Sequence, residues 1–334
     1  MNDSSNVSSE AISFGPRRLG HVNLWVGDCQ RNTEQYNKVF GFHVEATEPG
    51  ILASFLGNGN THHDIGMVQI TDGEDRVGRD GSVLIAKEIS GKTGLFHLGW
   101  EMHNESLLVE AIDRLRKTDQ AVAFFADHQI SHSIYIPDPD GNLHEFYADE
   151  LKDWRSIFQG ELELITGVWN PGDKEPHADP RYDPNPRLYG VDDAPLHPLR
   201  ITHCAFVVSN VKRAMHFYEH VAGLNKVHVA DDDSYAIFEG DMGDYNLSIF
   251  QAREGEQVGM HHCGFQLADE ESLEQSVASL IEDGVHIERQ INDINKRSLF
   301  LLDHDGIRWE FCVDRAIDYS AIGLADPLDR PYLA

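Results

Sequence analysis

A spacing of 48 residues occurs four times in this chain and restricts its fold more than any other feature. His21 in GHVNLWV and Gln69 in HHDIGMVQI stand 48 positions apart, as do His203 in THCAFVV and Gln251 in YNLSIFQ. The same 48 separates His97 in LFHLGWE from Glu145 in GNLHEFY, and His262 in HHCGFQ from Glu310 in GIRWEFC. The chain is therefore an internal duplication, and its halves must share one architecture. Their one length difference lies between the paired units: Gln69 to His97 is 28 positions, whereas Gln251 to His262 is 11, so the first half carries 17 extra residues within TDGEDRVGRDGSVLIAKEISGKTG. This insertion reads as a loop near whatever the first half binds, and a candidate lid, because it joins the segment bearing His63 to the strand bearing His97.

Each half divides again. The alternation in HVNLWV is a strand, TEQYNKVFG an amphipathic helix closing on glycine, and FHVEA, ILASFLG and HDIGMVQI three more strands. LFHLGWEM, ESLLVEAIDRLRK, AVAFFA, HSIYIPD and LHEFYAD repeat that order. The expected fold class is α+β: four βαβββ modules arranged as two domains, each with a curved mixed sheet whose concave face is a natural site. The domain limits read as a mobile Ser/Asn-rich lead-in over 1–16, a first domain over 17–150, a proline-rich linker over 151–198, a second domain over 199–315 and a tail over 316–334.

A formal charge of -29 repels phosphate, so nucleic acid and anionic membrane surfaces are excluded as partners. The sequence has neither an apolar run long enough to span a bilayer nor a basic, hydrophobic leader, which places the expected location in the cytoplasm. Cys29, Cys204, Cys263 and Cys312 lack CxxC spacing and read as reduced, structural residues.

His21, His97 and Glu145 fall on three strands of one sheet and can converge. Two imidazoles and one carboxylate suit a divalent ion such as Fe(II), Mn(II), Ni(II) or Zn(II) and leave other coordination positions open. Glu145, between Leu143 and Phe146, also needs a partner, because an unpaired buried charge costs several kcal/mol.

The triad on βαβββ strands resembles the vicinal oxygen chelate superfamily (glyoxalase, bleomycin resistance, dioxygenase) and, within it, the type I extradiol ring-cleaving dioxygenases. That resemblance implies that His21, His97 and Glu145 hold Fe(II), with Mn(II) as the alternative. HHDIGM resembles the family segment in which a histidine precedes an aspartate, matching His63, with His62 as the alternative register. HQISHSIYIPDPDGNLHE resembles the segment with a histidine and then a tyrosine before the turn to the glutamate, matching His128 and Tyr135; Tyr135 lies ten residues before Glu145, as in the family. The implied reaction inserts both atoms of O2 into a small catechol-like or hydroquinone-like diol and gives a ring-opened semialdehyde-type product. In it His63 acts as acid and base beside dioxygen, His128 and Tyr135 handle the substrate protons, and His132 lies behind them or gates access. Related enzymes associate through such sheets, so a homo-oligomer is expected. The competing readings are a glyoxalase-like metal-dependent isomerase or lyase and a non-catalytic ligand-binding protein of the same fold.

The second half repeats the triad as His203, His262 and Glu310 but replaces His63 by Tyr245, His128 by Asp293, His132 by Arg297 and Tyr135 by Phe300. Catalysis is therefore expected in the first half alone, whereas familiar two-domain extradiol enzymes use the C-terminal half. The second triad is left open between a structural metal, an empty relic and ordinary polar packing.

Overall fold

The computed structural model describes residues 12–77, 83–87, 91–162, 166–243, 245–315 and 318–334. The first half runs β1 (Arg18–Val26), α1 (Cys29–Lys38), β2 (His43–Glu48), β3 (Ala53–Gly57) and β4 (Ile65–Gln69). A two-stranded hairpin follows, β5 (Arg76–Val77) with β6 (Val83–Ile85). The order then repeats as β7 (Gly94–Glu101), α2 (Glu105–Leu115), β8 (Phe124–Asp127), β9 (Ser131–Pro137) and β10 (Leu143–Asp149). A short β11 (Gly160–Glu161) joins the edge beside β2, making a nine-stranded sheet in the order β11-β2-β3-β4-β1-β7-β10-β9-β8.

The second half comprises β12 (Arg200–Val208), α3 (Val211–Phe217), β13 (Asn225–Val229), β14 (Tyr235–Glu239), β15 (Tyr245–Gln251), β16 (Gly259–Gln266), α4 (Glu270–Glu282), β17 (Ile287–Asn292), β18 (Lys296–Leu302) and β19 (Arg308–Asp314). These strands form an eight-stranded sheet in the order β13-β14-β15-β12-β16-β19-β18-β17, the first sheet without its extra edge strand. Four βαβββ modules in two mixed sheets are the α+β arrangement that the duplication predicts.

Strand alternation divides the residues of each sheet between two faces. Val22, Leu24, Leu98, Trp100, Ile134, Ile136 and Phe146 face the helices and join one core with Cys204, Phe206, Phe265, Leu299, Trp309 and Phe311 of the second half. That core is continuous across the halves because each half sends a helix against the other with pseudo-twofold repetition. Tyr36 of α1 donates to Asp303 Oδ2 at 2.7 Å, and Tyr218, its counterpart after α3, donates to Asp138 Oδ2 at 2.9 Å. The main-chain N–H groups of Gly27 and Ser209 likewise reach Asp305 and Asp140. The four cysteines are buried with free thiols. Among the described residues no helix is long and apolar enough to cross a membrane.

Two expected boundaries change. Residues 12–16 of the expected lead-in are docked: Ile12 and Phe14 are buried, Ser13 and Phe14 donate main-chain hydrogen bonds to His220 and Val221, and Arg114 donates to the carbonyls of Ile12 and Ser13. Two apolar side chains in a polar stretch gave too little periodicity to reveal this. Residues 1–11 lie outside the described residues. The 151–198 segment has little regular structure but is not a spacer, because Trp154, Phe158, Trp169, Ala194 and Leu196 are buried against the domains. The insertion is described in part, as the β5–β6 hairpin; its residues 78–82 and 88–90 lie outside the described residues.

Candidate active site

The concave face of the first sheet collects the triad. β1, β7 and β10 are adjacent, and the register sets both His21 and Glu145 opposite Gly99 on the strand between them. A Cβ at position 99 would lie 2.1 Å from His21 Nε2, so glycine is required for the imidazole to cross that strand. His21 Nε2 lies 2.8 Å and His97 Nε2 3.0 Å from the same carboxylate oxygen, Glu145 Oε2. Ser133, on the same face of β9, donates to the other oxygen, Oε1, at 2.6 Å. Burial alone would raise the Glu145 carboxyl, but the imidazoles of His21 and then His97 hold it well below the usual carboxylate range.

The three donor atoms lie within 4.8 Å of one another. His97 Nε2 has no partner in hydrogen-bond geometry although its side chain is buried. Glu145 has only histidines in ion-pair range, His21, His97 and His128, and among the described residues no lysine or arginine reaches it. A buried carboxylate without a resident cation, facing two imidazole nitrogens, fits a divalent metal ion.

Around the triad stand the residues expected to handle protons. His128, in the turn between β8 and β9, places Nε2 2.9 Å from the Tyr135 hydroxyl and 3.7 Å from Glu145 Oε1. Its side chain is 25% exposed, against 4% or less for the triad, so solvent reaches the site past His128. Burial and the Glu145 charge raise the Tyr135 phenol well above its usual range, which keeps its proton in place near neutral pH. His63 lies in the loop just before β4 with its ring 4.4 Å from that of His21. Burial and the neighbouring His21 push both His63 and His62 well below an ordinary histidine, so both are neutral.

His63 Nε2 lies 3.1 Å from Asn23 Oδ1, and its Nδ1 2.7 Å from His62 Nδ1. An amide oxygen can only accept, so Nε2 carries the His63 proton and His62 donates from Nδ1. His62 and His63 therefore form one hydrogen-bonded pair. Asn23 is two residues beyond His21 on the same strand face, and Gly66 makes room for it, since a Cβ there would lie 2.1 Å from Asn23 Oδ1. Strand parity could have found Asn23 and Ser133 in the sequence; the partnership of the two histidines could not be read without the loop's conformation.

His132 does not join the site. It alternates with Ser131, Ser133 and Tyr135 and faces the helix side, where it stacks on Trp169 and places Nδ1 2.6 Å from Glu105 Oε1. Burial would lower its pKa, but the Glu105 carboxylate raises it.

Aromatic side chains pack around these residues. Phe55 and Phe158 pack edge-on and stacked against His63, Phe124 stacks on Tyr135 at 4.1 Å, and Phe96 packs against His97. Trp154 and Phe158, from the segment after β10, close one side together with Phe55, Val68, Ile85 and Ile130.

The model of the glyoxalase/bleomycin resistance protein/dioxygenase superfamily matches residues 18–146 and 200–311, one match per half. The chain belongs to this superfamily. Among curated relatives, a catechol-2,3-dioxygenase of Bacillus subtilis is 26% identical over 223 residues, 63% of this chain and just under two thirds (66%) of that protein. A trivalent organoarsenical cleaving enzyme of a Bacillus strain is 28% identical over 120 residues, 34% of this chain and 72% of that protein. Among solved structures, homoprotocatechuate 2,3-dioxygenase from Arthrobacter globiformis superposes with a TM-score of 0.62 at 16% identity, covering 94% of this chain and 84% of that one. At that identity the superposition speaks for the fold.

Proposed function

We propose that the first half is an extradiol ring-cleaving dioxygenase acting on a small catechol-like or hydroquinone-like diol, with one Fe(II), or alternatively Mn(II), held by His21, His97 and Glu145. The observation that carries this reading is the hydrogen-bonded His128–Tyr135 pair set beside a His-His-Glu triad that no described lysine or arginine reaches. A glyoxalase-type site needs the metal donors but not this proton-handling pair. The catechol-2,3-dioxygenase relative supports the same substrate class.

When bound, the metal would supply electrons and open coordination positions for the diol and dioxygen. The protein's own groups do the rest. Phe124, Phe96 and the Phe55–Phe158 wall hold a flat ring and exclude water. Neutral His128 accepts a proton from a diol hydroxyl, and the Tyr135 phenol, which keeps its own proton, donates a hydrogen bond to the resulting oxyanion. Neutral His63 stands on the opposite side as the acid–base group, and the hydrogen bond from His62 Nδ1 fixes which of its nitrogens carries the proton. Glu145 stays ionised throughout, because Ser133 and two imidazoles hold its charge.

The test is oxygen uptake by anaerobically purified, Fe(II)-loaded protein over a panel of catechols and hydroquinones. Stoichiometric uptake with a coloured ring-opened product is expected; no uptake across the panel overturns the proposal.

A further inference from the structure

The C-terminal triad repeats the geometry of the first with a different charge. His203 Nε2 and His262 Nε2 lie 2.9 and 3.1 Å from Glu310 Oε2, and Gly264 leaves the same gap for His203 that Gly99 leaves for His21. The other carboxylate oxygen has changed partner. Where Ser133 donates to Glu145 Oε1, Lys296 Nζ stands 2.7 Å from Glu310 Oε1, and Ser298, the counterpart of Ser133, has a buried hydroxyl without a partner. Lys296 is 2% exposed and pairs with Asp314 in the register that sets Ser131 opposite Asp149, so it is the residue at the position of Ser131.

A lysine buried this completely is stable only with a carboxylate beside it. Here that carboxylate is the triad's own. The ammonium also donates to the main-chain oxygen of Ala334. The tail that carries this oxygen packs over the concave face: Tyr332 lies edge-on to Phe300 at 5.0 Å, and Ile322 and Ala334 pack with Ala205, Tyr235 and Tyr245. The Tyr245 ring stacks on His203 at 4.4 Å, as far as His63 lies from His21.

We propose that Lys296 is a built-in substitute for the metal ion: its ammonium neutralises Glu310 and repels a divalent cation, so the second triad is silenced, and a serine at position 296 opens it to Fe(II) or Mn(II) on His203, His262 and Glu310. Like charges this close in a buried site repel strongly, and without the lysine the three donors have the convergence of the first triad. The comparison with the first triad, and the Ser131→Lys variant below, rest on that triad being a metal site; the Lys296→Ser measurement does not.

The experiment counts metal per chain, by elemental analysis after anaerobic Fe(II) loading and desalting, in the wild type, His262→Ala, Lys296→Ser and the double variant Lys296→Ser/His262→Ala. Lys296→Ser is expected to hold one ion more than the wild type, and the double variant to lose it again. No gain in Lys296→Ser, or a wild type that already loses an ion on His262→Ala, overturns the proposal. A wild type without iron fails the first-half reading instead, and the difference between the wild type and Lys296→Ser still decides this one. Should Lys296→Ser not fold, Ser131→Lys provides the reciprocal transplant. It is expected to fold, with unchanged near-ultraviolet circular dichroism, and to hold no metal at the first triad; retention of that ion in the folded variant overturns the proposal.

Discussion

The two halves hold the same two histidines and glutamate in the same strand register, yet they differ in the charge and in the proton-bearing groups that face them. In the first, among the described residues no lysine or arginine reaches Glu145, aromatic rings pack around the triad, and His63, His128 and Tyr135, the residues proposed to move protons, stand beside it. In the second, Lys296 neutralises Glu310, Tyr245 takes the place of His63, and Asp293 turns back to cap the main-chain N–H groups of Asn295 and Lys296. A shared triad thus records common descent of the halves. On the proposed function, the charge and proton-bearing groups that face it decide which triad works.

Substitutions made in pairs, one in each half, probe this difference. The largest effect is expected from Glu145→Gln, which should lower the rate of oxygen-dependent ring opening about a thousandfold, since a bound metal is worth several kcal/mol to such a step. Stopped-flow or oxygen-electrode rates check it, and near-wild-type turnover would erase the functional contrast. The stability contrast runs the other way. Glu310→Gln leaves Lys296 buried without its carboxylate and should cost about 3–5 kcal/mol in urea unfolding; the same change at Glu145, in metal-stripped protein, should cost about 1 kcal/mol. Equal losses would mean that Lys296 is not bound to Glu310 as described.

Tyr135→Phe should slow turnover about a hundredfold with iron retained, whereas Phe300→Tyr should leave it unchanged. Unaltered turnover in Tyr135→Phe would remove the phenol from the chemistry.

The smallest effect concerns the matched aspartates at the domain contact. His144, Asn142 and Tyr218 overcome the burial penalty on Asp138 and lower it to about 2, while burial raises Asp303, whose turn is followed by Trp309 in place of His144. A depressed carboxyl contributes stability above its unfolded pKa of about 3.9, and this is lost as pH falls towards 2. Asp138→Asn should therefore flatten the acid limb of the stability curve between about pH 4 and 2, and Asp303→Asn should not; a matched flattening would show that the two contacts are electrostatically alike.

Much of this contrast was legible in the sequence, for reasons visible in particular residues. The 48-residue spacing survives because it is fixed by strands of one sheet, and Tyr135 is found from Glu145 because the two are register partners across β9 and β10. His132 lies outside the site because its odd offset from Tyr135 sends it to the helix face, towards Glu105, which spacing without parity does not show. The same parity marks Lys296, Ser133 and Asn23 as facing the two sites. Gly99 and Gly264 could not be recognised, because the need for an absent Cβ appears only when His21 and His203 lie across them. The capping of the first site by Trp154 and Phe158, and of the second by the tail, is likewise invisible in sequence, since irregular segments carry no period.

The most direct test of the central claim is anomalous X-ray scattering at the iron edge from crystals of Fe(II)-loaded wild-type protein grown without oxygen. One peak per chain within bonding distance of His21, His97 and Glu145, with none at His203, His262 and Glu310, is the predicted result. A peak at the second triad, or none at the first, would overturn the assignment of the metal to the first half.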